Sequence, residues 1–470
     1  MADLARMTEN PDHPAEPRRF GYWAGHFVVV GSMVGAGILA TSGPILRETG
    51  NPAALLGLWA LGGLLAMCGA VTVAELATKL PRSGGDYIFV REGFGRAAGF
   101  VSGWATFALG FAAPTAVIAV LSLSYLTDPY KHALGATLPP WVAENIVPLG
   151  ASLLILVIGL IHTRGHRHSS WLQITATAVT AIVLLLIAVG GLVFGNGDWS
   201  HLSASSWPTS AQWPVLAIGL VFVGYAYAGW NGAAYLAGEI RDPARNLPRC
   251  LIGGAATVMV LYLLVNLTYV YALDPAVLSA RRPEDAERIA ALAVHVLFGE
   301  TAARAVAAAL GLCLVAAVSA YLLTGPRVAY AMAVDGVFPG YAGRLHPTRH
   351  TPAAAIYTQT FAAAALVWAG SFRDLLEYAS VGLAIVTGLT IASIFTLRGR
   401  AGLPHPYRMP LYPLPPLFFL VLTAWAVAYA VYREVIDVVL VKGIPGPAIL
   451  SIITFLIGIP LARLLSERGK

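Results

Sequence analysis

Long apolar segments alternate with short polar ones from one end of this chain to the other. Twelve of the apolar segments have about the 20 residues that a helix needs to cross a bilayer. They lie near residues 24–46, 53–79, 97–126, 145–162, 170–195, 213–240, 250–273, 302–324, 352–370, 374–397, 412–432 and 446–464. The pattern predicts an all-α membrane protein of about twelve transmembrane helices. The longest polar stretch, residues 274–300, contains an amphipathic piece that we expect to cap the outer face.

Two of these segments, the first and the sixth, are interrupted by glycine-rich runs at residues 31–38 and 224–231. Inside a membrane such a break persists only where the freed backbone groups line a cavity, and corresponding breaks in two halves point to a transport site. The spacing predicts two five-helix repeats of inverted topology followed by two further helices, because an odd number of spans inverts the second copy. We therefore divide the chain into a tail (residues 1–20), a first repeat (21–210), a second repeat (211–400) and a C-terminal pair of helices (401–470).

Backbone groups at the two breaks are the candidates for substrate binding. Orphan N–H groups at a half-helix N-terminus suit a carboxylate, and orphan C=O groups at a half-helix C-terminus suit an ammonium group. The expected carboxylate donors are the N–H groups of Ala36 and Gly37, with Gly35 allowing close approach. The expected ammonium acceptors are the carbonyls of Ser32, Met33, Tyr225, Ala226 and Ala228. The alternative is that the glycines serve tight helix packing, since Gly31 and Gly35 also fit a small-xxx-small pattern.

Composition and charge support a membrane location. Only 11% of the residues are charged and the mean hydropathy is +0.70, which is too apolar for a soluble chain of this length. With the N-terminus inside, 21 of the 30 Lys and Arg residues fall on the cytoplasmic side. This distribution predicts an integral protein of the cell membrane with both termini in the cytoplasm. It also accounts for the net charge of +6 without a nucleic-acid partner, and the three cysteines predict no disulfide framework.

Several segments resemble the amino acid–polyamine–organocation transporters, especially their bacterial amino-acid permeases and light-subunit-type exchangers. The matching stretches are VGAGI (34–38), AELATKLPRSGGDY (74–87), AGWN (228–231) with GEIRDP (238–243) and NLP (246–248), GPRVAYAM (325–332) with DG (335–336), and PYRMP (406–410). They occur in order over nearly the whole chain. The resemblance implies an inverted-repeat fold with substrate bound at the broken helices, and it places the family's aromatic lid on Tyr225. Asn231 also matches, and a polar side chain at membrane depth should hydrogen-bond something specific.

Charged residues near the cytoplasmic helix ends are candidates for an inner gate. Glu75 and Glu239 are the acids, and Arg82 and Arg327 are their candidate partners. The alternative is a set of static interfacial ion pairs, because charges at helix ends cost little.

The coupling mechanism stays open at this stage. In many relatives a lysine of the fifth helix occupies the place where sodium sits in sodium-driven transporters, whereas this chain has Thr180 there. Thr180 and Ser319 are candidates to supply oxygens to a cation, but they are too few to indicate sodium. Sodium-independent exchange and proton-linked uptake both remain.

The side-chain pocket is expected to suit neutral, small-to-medium L-amino acids, because no acidic residue lies at the middle of helices one, three, six, eight or ten. The alternatives are a carrier of amines, cationic amino acids or polyamines, and a transporter-derived sensor. We expect no enzyme, because no nucleophile–base pair is found at membrane depth. We expect no cofactor and no metal either. His162, His166 and His168 lie with two arginines in one short segment, for which a solvated basic loop is favoured over a metal site.

Overall fold

The computed structural model describes residues 20–82, 84–130, 135–164, 169–203, 213–346, 351–437, 443 and 445–468. Its regular structure is helical, apart from one parallel bridge between Phe20 and Ile240. The α-helices of the first half are α1 Tyr22–Met33, α2 Ala36–Ala40, α3 Ser42–Thr49, α4 Pro52–Lys79, α5 Asp86–Phe94, α6 Arg96–Ala105, α7 Ala113–Thr127, α8 Pro140–Glu144, α9 Ile146–Arg164, α10 Ser169–Leu185, α11 Gly191–Phe194 and α12 Ser200–Ser203. Those of the second half are α13 Trp213–Ala226, α14 Pro243–Ala272, α15 Pro275–Ala280, α16 Pro283–Ala286, α17 Ile289–Phe298, α18 Glu300–Val334, α19 Ala353–Leu366, α20 Phe372–Leu397, α21 Leu414–Asp437 and α22 Pro447–Arg468.

Nine helices among the described residues are long and apolar enough to cross a membrane. They are Tyr22–Thr49, Pro52–Lys79, Arg96–Tyr130, Ile146–Arg164, Thr177–Phe194, Pro243–Ala272, Glu300–Val334, Phe372–Leu397 and Leu414–Asp437. The sixth, ninth and twelfth apolar segments of the sequence form shorter apolar helices instead, at Trp213–Ala226, Ala353–Leu366 and Pro447–Ala462. The all-α membrane class is therefore confirmed, whereas the count of twelve spans and the inverted repeat stay predictions.

Local sequence accounts for where several helices begin. The side chain of Asn51 accepts a hydrogen bond from the Ala54 N–H at 3.1 Å, and Pro52 follows at the first helical position of α4. Ser371 and Asp374 form a reciprocal capping box at the start of α20. The third span contains a π-helical stretch at Thr106–Ala112 between α6 and α7, and a second π-helical stretch at Leu186–Gly190 follows α10.

The packing places the two broken segments in the middle of the bundle. Helix α14 packs along both α1 and α4, while α18 packs along α7, α10 and α19. Helix α13 contacts α2, α20 and α21, so the segment before the second break lies between the first helix and the C-terminal half. The amphipathic piece of the sequence forms α16 and α17, and α17 buries Ile289, Ala290 and Ala293. Ala286 of α16 lies very close to Gly43. A Cβ added at Gly43 would lie 1.9 Å from the carbonyl oxygen of Ala286.

Candidate functional site

The first helix is broken at Val34 and Gly35. Helix α1 ends at Met33, both following residues have extended backbone, and the helix restarts at Ala36. Thr41 keeps helical dihedral angles, so α2 and α3 form one continuous half-helix that begins at the break. The break therefore has the predicted form, with the N–H groups of Ala36 and Gly37 in the first turn of the restarted helix.

The second break follows α13, which ends at Ala226. Gly229 has φ = +102°, a backbone conformation that favours glycine. The next residues form turns, with the Gly232 N–H donating to the Gly229 carbonyl at 2.8 Å. The chain then continues as a 3-10 helix over Gly232–Glu239, and not as an α-helix. This stretch consists of two short helical pieces joined by a kink at Leu236, whose backbone angles are not helical.

Glycines bring the two breaks into direct contact. A Cβ added at Gly37 would lie 2.3 Å from the Cα of Ala226, and one added at Gly229 would lie 2.3 Å from the carbonyl oxygen of Ser32. A Cβ added at Gly232 would lie 2.6 Å from the Ser32 hydroxyl oxygen. The two interpretations of these glycines, tight helix packing and a substrate site, are thus compatible, because the absence of a side chain is what allows the two breaks to touch.

Tyr262 of α14 binds the backbone at the first break, a contact that no feature of the sequence predicts. Its hydroxyl donates to the Met33 carbonyl at 2.7 Å. The ring is fully buried and packs against Trp59 and Tyr227. The predicted ammonium acceptor Met33 therefore already has a protein donor.

A second predicted acceptor is engaged in the same way, since the Tyr225 carbonyl accepts from the Ala228 N–H at 3.0 Å. Each carbonyl has two lone pairs, so these bonds reduce the capacity for a ligand without abolishing it.

Accessible space reaches the first break. Ser32 is exposed and Gly35 half-buried, although both lie in the middle of a span, and a Cβ added at Gly35 would meet nothing within 4 Å. The residues of the restarted helix, Ala36–Ala40, are all buried. Space is therefore open on the α1 side of the break and closed on the α2 side.

Aromatic side chains border the second break. Tyr225 is buried, and the ring of Tyr321 in α18 packs against Phe111 with centroids 5.8 Å apart. A small apolar cavity of about 50 Å³ lies beside the second break. It is lined by Tyr225, Ala228 and Trp230 together with residues of α4, α20 and α21. The lid role of Tyr225 is untested by these contacts and stays a prediction.

Asn231, at the end of the second break, binds a carboxylate that the sequence had not singled out. Its amide nitrogen lies 2.9 Å and 3.0 Å from the two carboxylate oxygens of Asp86, and the Tyr235 hydroxyl donates to the same carboxylate at 2.8 Å. Asp86 is the first residue of the short helix α5 and is 2% exposed. Burial raises the pKa of Asp86, and the hydrogen bonds from Tyr235 and Asn231 oppose that rise.

The cytoplasmic ion pairs differ from those that the sequence suggested. Glu75, which is fully buried, pairs with Arg398 at 3.5 Å and accepts from the Met409 N–H at 2.9 Å. The expected pairs with Arg82 or Arg327 are not formed: both arginines are exposed, and no ion pair of the described residues includes them or Glu239. The reason is the chain segment after α20, which returns to the end of α4 and brings Arg398 there.

The same return segment binds Lys79, the last residue of α4. Its ammonium group donates to the Arg398 carbonyl at 3.0 Å and lies 2.7 Å from Nδ1 of His405. The charge of Lys79 lowers the pKa of His405, which favours the neutral imidazole that can accept this hydrogen bond. The end of α4 is thus fixed to the loop after α20 by both charged and neutral contacts.

The candidate coupling residues lie in α10 and α18, which pack together. Thr180 is buried, and the Ser319 hydroxyl lies 2.8 Å from Nε2 of His162. His162 is 3% exposed in the last turn of α9, so the expectation of a solvated loop is wrong for this histidine. His166 and His168 lie outside the described residues. The hydrogen-bonding partner explains the burial, since an imidazole can be buried when it is paired.

A membrane-embedded helical bundle in which two helices are broken side by side is the architecture of a solute carrier. The chain belongs to the amino acid permease family, whose model matches residues 20–457. It is 27% identical over 445 residues to the mouse "Asc-type amino acid transporter 1", covering 92% of this chain and 78% of the relative. It is 27% identical over 416 residues to the human "Large neutral amino acids transporter small subunit 2", covering 87% and 74%. It is 28% identical over 412 residues to the mouse "b(0,+)-type amino acid transporter 1", covering 86% and 81%. The protein is therefore an integral membrane amino-acid transporter and not an enzyme.

Proposed function

We propose that this protein is an alternating-access carrier of neutral, small-to-medium L-amino acids, with the substrate bound at the two helix breaks. The observation that carries the proposal is the direct contact of the breaks, in which Gly37 lies against Ala226 and Gly229 against the Ser32 carbonyl. Two breaks in contact can offer N–H groups to a carboxylate and C=O groups to an ammonium group at the same place. The N–H groups of Ala36 and Gly37 would take the carboxylate, and the Ser32, Ala226 and Ala228 carbonyls the ammonium group.

Neutral side chains are favoured by the chemistry around the breaks. Tyr225, Ala228 and Tyr321 offer aromatic and apolar surface. The buried carboxylate of Asp86 is already bound by two uncharged donors, Asn231 and Tyr235, so it is not offered to a cationic side chain. The name of one relative specifies large neutral amino acids, which supports a neutral substrate but not the small-to-medium size. A carrier of amines or cationic amino acids is the alternative.

The described structure corresponds to a state open toward the cytoplasm, if the N-terminus lies inside. Ser32 on the α1 side of the break is exposed, while the α2 side is buried. On that closed side Glu48 pairs with Arg373 at the start of α20, and Asp128 pairs with Arg288. These pairs join elements that would have to separate in an outward-open state, so they are candidate outer gates, while Glu75, Arg82, Glu239 and Arg327 remain candidates for the inner one.

Transport is tested by uptake of radiolabelled L-alanine into liposomes that contain the purified protein. Uptake that requires preloaded neutral amino acids and no sodium would establish exchange, whereas uptake driven by a pH gradient into empty liposomes would establish proton linkage. Inhibition by neutral amino acids but not by their decarboxylated amines is expected, because the amines lack the carboxylate that Ala36 and Gly37 bind. Preferential uptake of amines or of arginine would overturn the substrate assignment.

A further inference from the structure

Asp86 is buried against the second break without a cationic partner. It accepts hydrogen bonds from the Asn231 amide nitrogen and the Tyr235 hydroxyl, and Thr390 of α20 lies against the same carboxylate. No ion pair of the described residues includes Asp86. A buried carboxylate with only neutral partners is costly, so these contacts need a reason beyond packing.

The consequence for Asn231 is a fixed amide orientation. A carboxylate accepts hydrogen bonds and cannot donate them, so the nitrogen of the Asn231 amide must face Asp86 and its oxygen must face away. Among the described residues that oxygen accepts no hydrogen bond, and it does not belong to the fully buried side-chain atoms that lack a partner. It therefore reaches accessible space, and its neighbours Ala228 and Gly229 in the break are themselves partly exposed.

We propose that Asp86 is a positioning residue of the substrate site: by binding the Asn231 amide nitrogen, it directs the Asn231 amide oxygen toward the ammonium group of the transported amino acid. This inference rests on the proposed function and deepens it. It gives the ammonium group a side-chain acceptor beside the backbone carbonyls. The negative charge of Asp86 behind the amide also strengthens that acceptor, because hydrogen-bonded groups polarise one another in a low-dielectric interior.

Protonation of Asp86 would reverse the orientation. A protonated carboxyl group donates, and the group that it would bind is the Asn231 oxygen, which would turn the amide nitrogen toward the ammonium group. The groups that face Asp86 are the Tyr235 hydroxyl from the 3-10 helix and the uncharged Thr390 from α20. The charged residues of its own helix are engaged elsewhere, Arg91 with Asp335 at 2.6 Å and Glu92 with Arg400 at 3.3 Å. Affinity should therefore fall as the pH falls through the pKa of Asp86.

The test is alanine uptake by Asp86→Asn in proteoliposomes, with KM and Vmax measured separately between pH 5 and pH 8. An asparagine at this position no longer fixes the Asn231 amide, so KM should rise about tenfold, the usual effect of one hydrogen bond to a charged group, with a smaller change in Vmax. The KM of the wild-type protein should rise toward acidic pH, and that of the variant should not. A change confined to Vmax, or a wild-type KM independent of pH, would overturn the inference.

Two further variants separate positioning from stability. Asp335→Asn makes the same chemical change in a carboxylate that holds α5 through Tyr87 and Arg91, and it should leave the alanine KM unchanged. The exchange Asp86→Asn/Asn231→Asp restores an amide–carboxylate pair with an acceptor toward the substrate, and it should recover most of the lost affinity. Alanine-dependent thermal stabilisation in detergent reports binding where transport is lost. If the wild-type protein moves no amino acid, the proposed function fails; if it does and Asp335→Asn raises KM as much as Asp86→Asn, only this inference fails.

Discussion

At the scale of single residues, the contact between the two breaks depends on a missing side chain. Gly37 has ordinary helical backbone, so its conformation alone does not require glycine. Glycine is required because a Cβ at position 37 would lie only 2.3 Å from the Cα of Ala226. The neighbouring backbone cannot yield easily, since Ala226 is the last residue of α13 and is itself buried.

We expect Gly37→Ala to separate the breaks and abolish alanine uptake. One added methyl group in a closed contact costs about 1–3 kcal/mol through overpacking, and here the obstacle is backbone. Uptake and thermal unfolding in detergent would both be measured. Gly57→Ala in α4 is the matched control, because a Cβ there meets nothing within 4 Å and alanine favours a helix. Normal uptake by Gly37→Ala would show that the substrate does not bind where the breaks meet.

At this scale the sequence predicts where the helices break and which backbone groups the breaks leave free to bind a ligand. Glycine-rich runs inside apolar segments identify breaks, and the positions of Ala36 and Gly37 in the restarted helix follow from them. Contacts between residues that are far apart in the sequence could not be predicted. Nothing near Glu75 in the sequence indicates Arg398 as its partner, because Arg398 lies more than 300 residues further along the chain. Asp86 stood in a recognised motif, but only its burial against Asn231 distinguishes it from a solvated loop residue.

At the scale of elements, each break needs partners from a neighbouring helix. Helix α14 supports the first break, because it packs along α1 and its Tyr262 hydroxyl donates to the Met33 carbonyl. An apolar span offered no reason to expect this role, and the seventh segment was predicted only as a helix. The short helix α5 serves the second break through Asp86 in a similar way.

We expect Tyr262→Phe to destabilise the protein by about 1–3 kcal/mol, because it leaves the carbonyl of the buried residue Met33 without this donor. The change would appear as a lower midpoint of thermal unfolding in detergent, accompanied by reduced uptake. Tyr269→Phe is the control: Tyr269 lies in the same helix, equally buried, and its hydroxyl has no hydrogen-bond partner among the described residues. Equal destabilisation by both substitutions would mean that the hydroxyl of Tyr262 does not hold the break together.

At the scale of the whole molecule, the accessible space is asymmetric about the first break. The Ser32 hydroxyl lies beside Gly232 of the second broken segment, and Ser32 itself is exposed. The opposite side is closed by buried residues of α2 and α17 and by the pair of Glu48 with Arg373. The distribution of Lys and Arg predicts that the open side is cytoplasmic, but sequence alone could not indicate which side is open.

Cysteine accessibility tests the orientation and the open side together. In a background without Cys68, Cys250 and Cys313, Ser32→Cys should react with a membrane-impermeant thiol reagent in inside-out vesicles and hardly at all in right-side-out ones. Ala40→Cys, on the other side of the break in α2 and 1% exposed, should react in neither. Saturating L-alanine should slow the reaction at position 32, because the substrate would occupy the space beside the break. Reaction from the outer face alone would place the N-terminus outside. Reaction from both faces would show that the protein samples outward-open states often enough for the reagent to reach the site from either side.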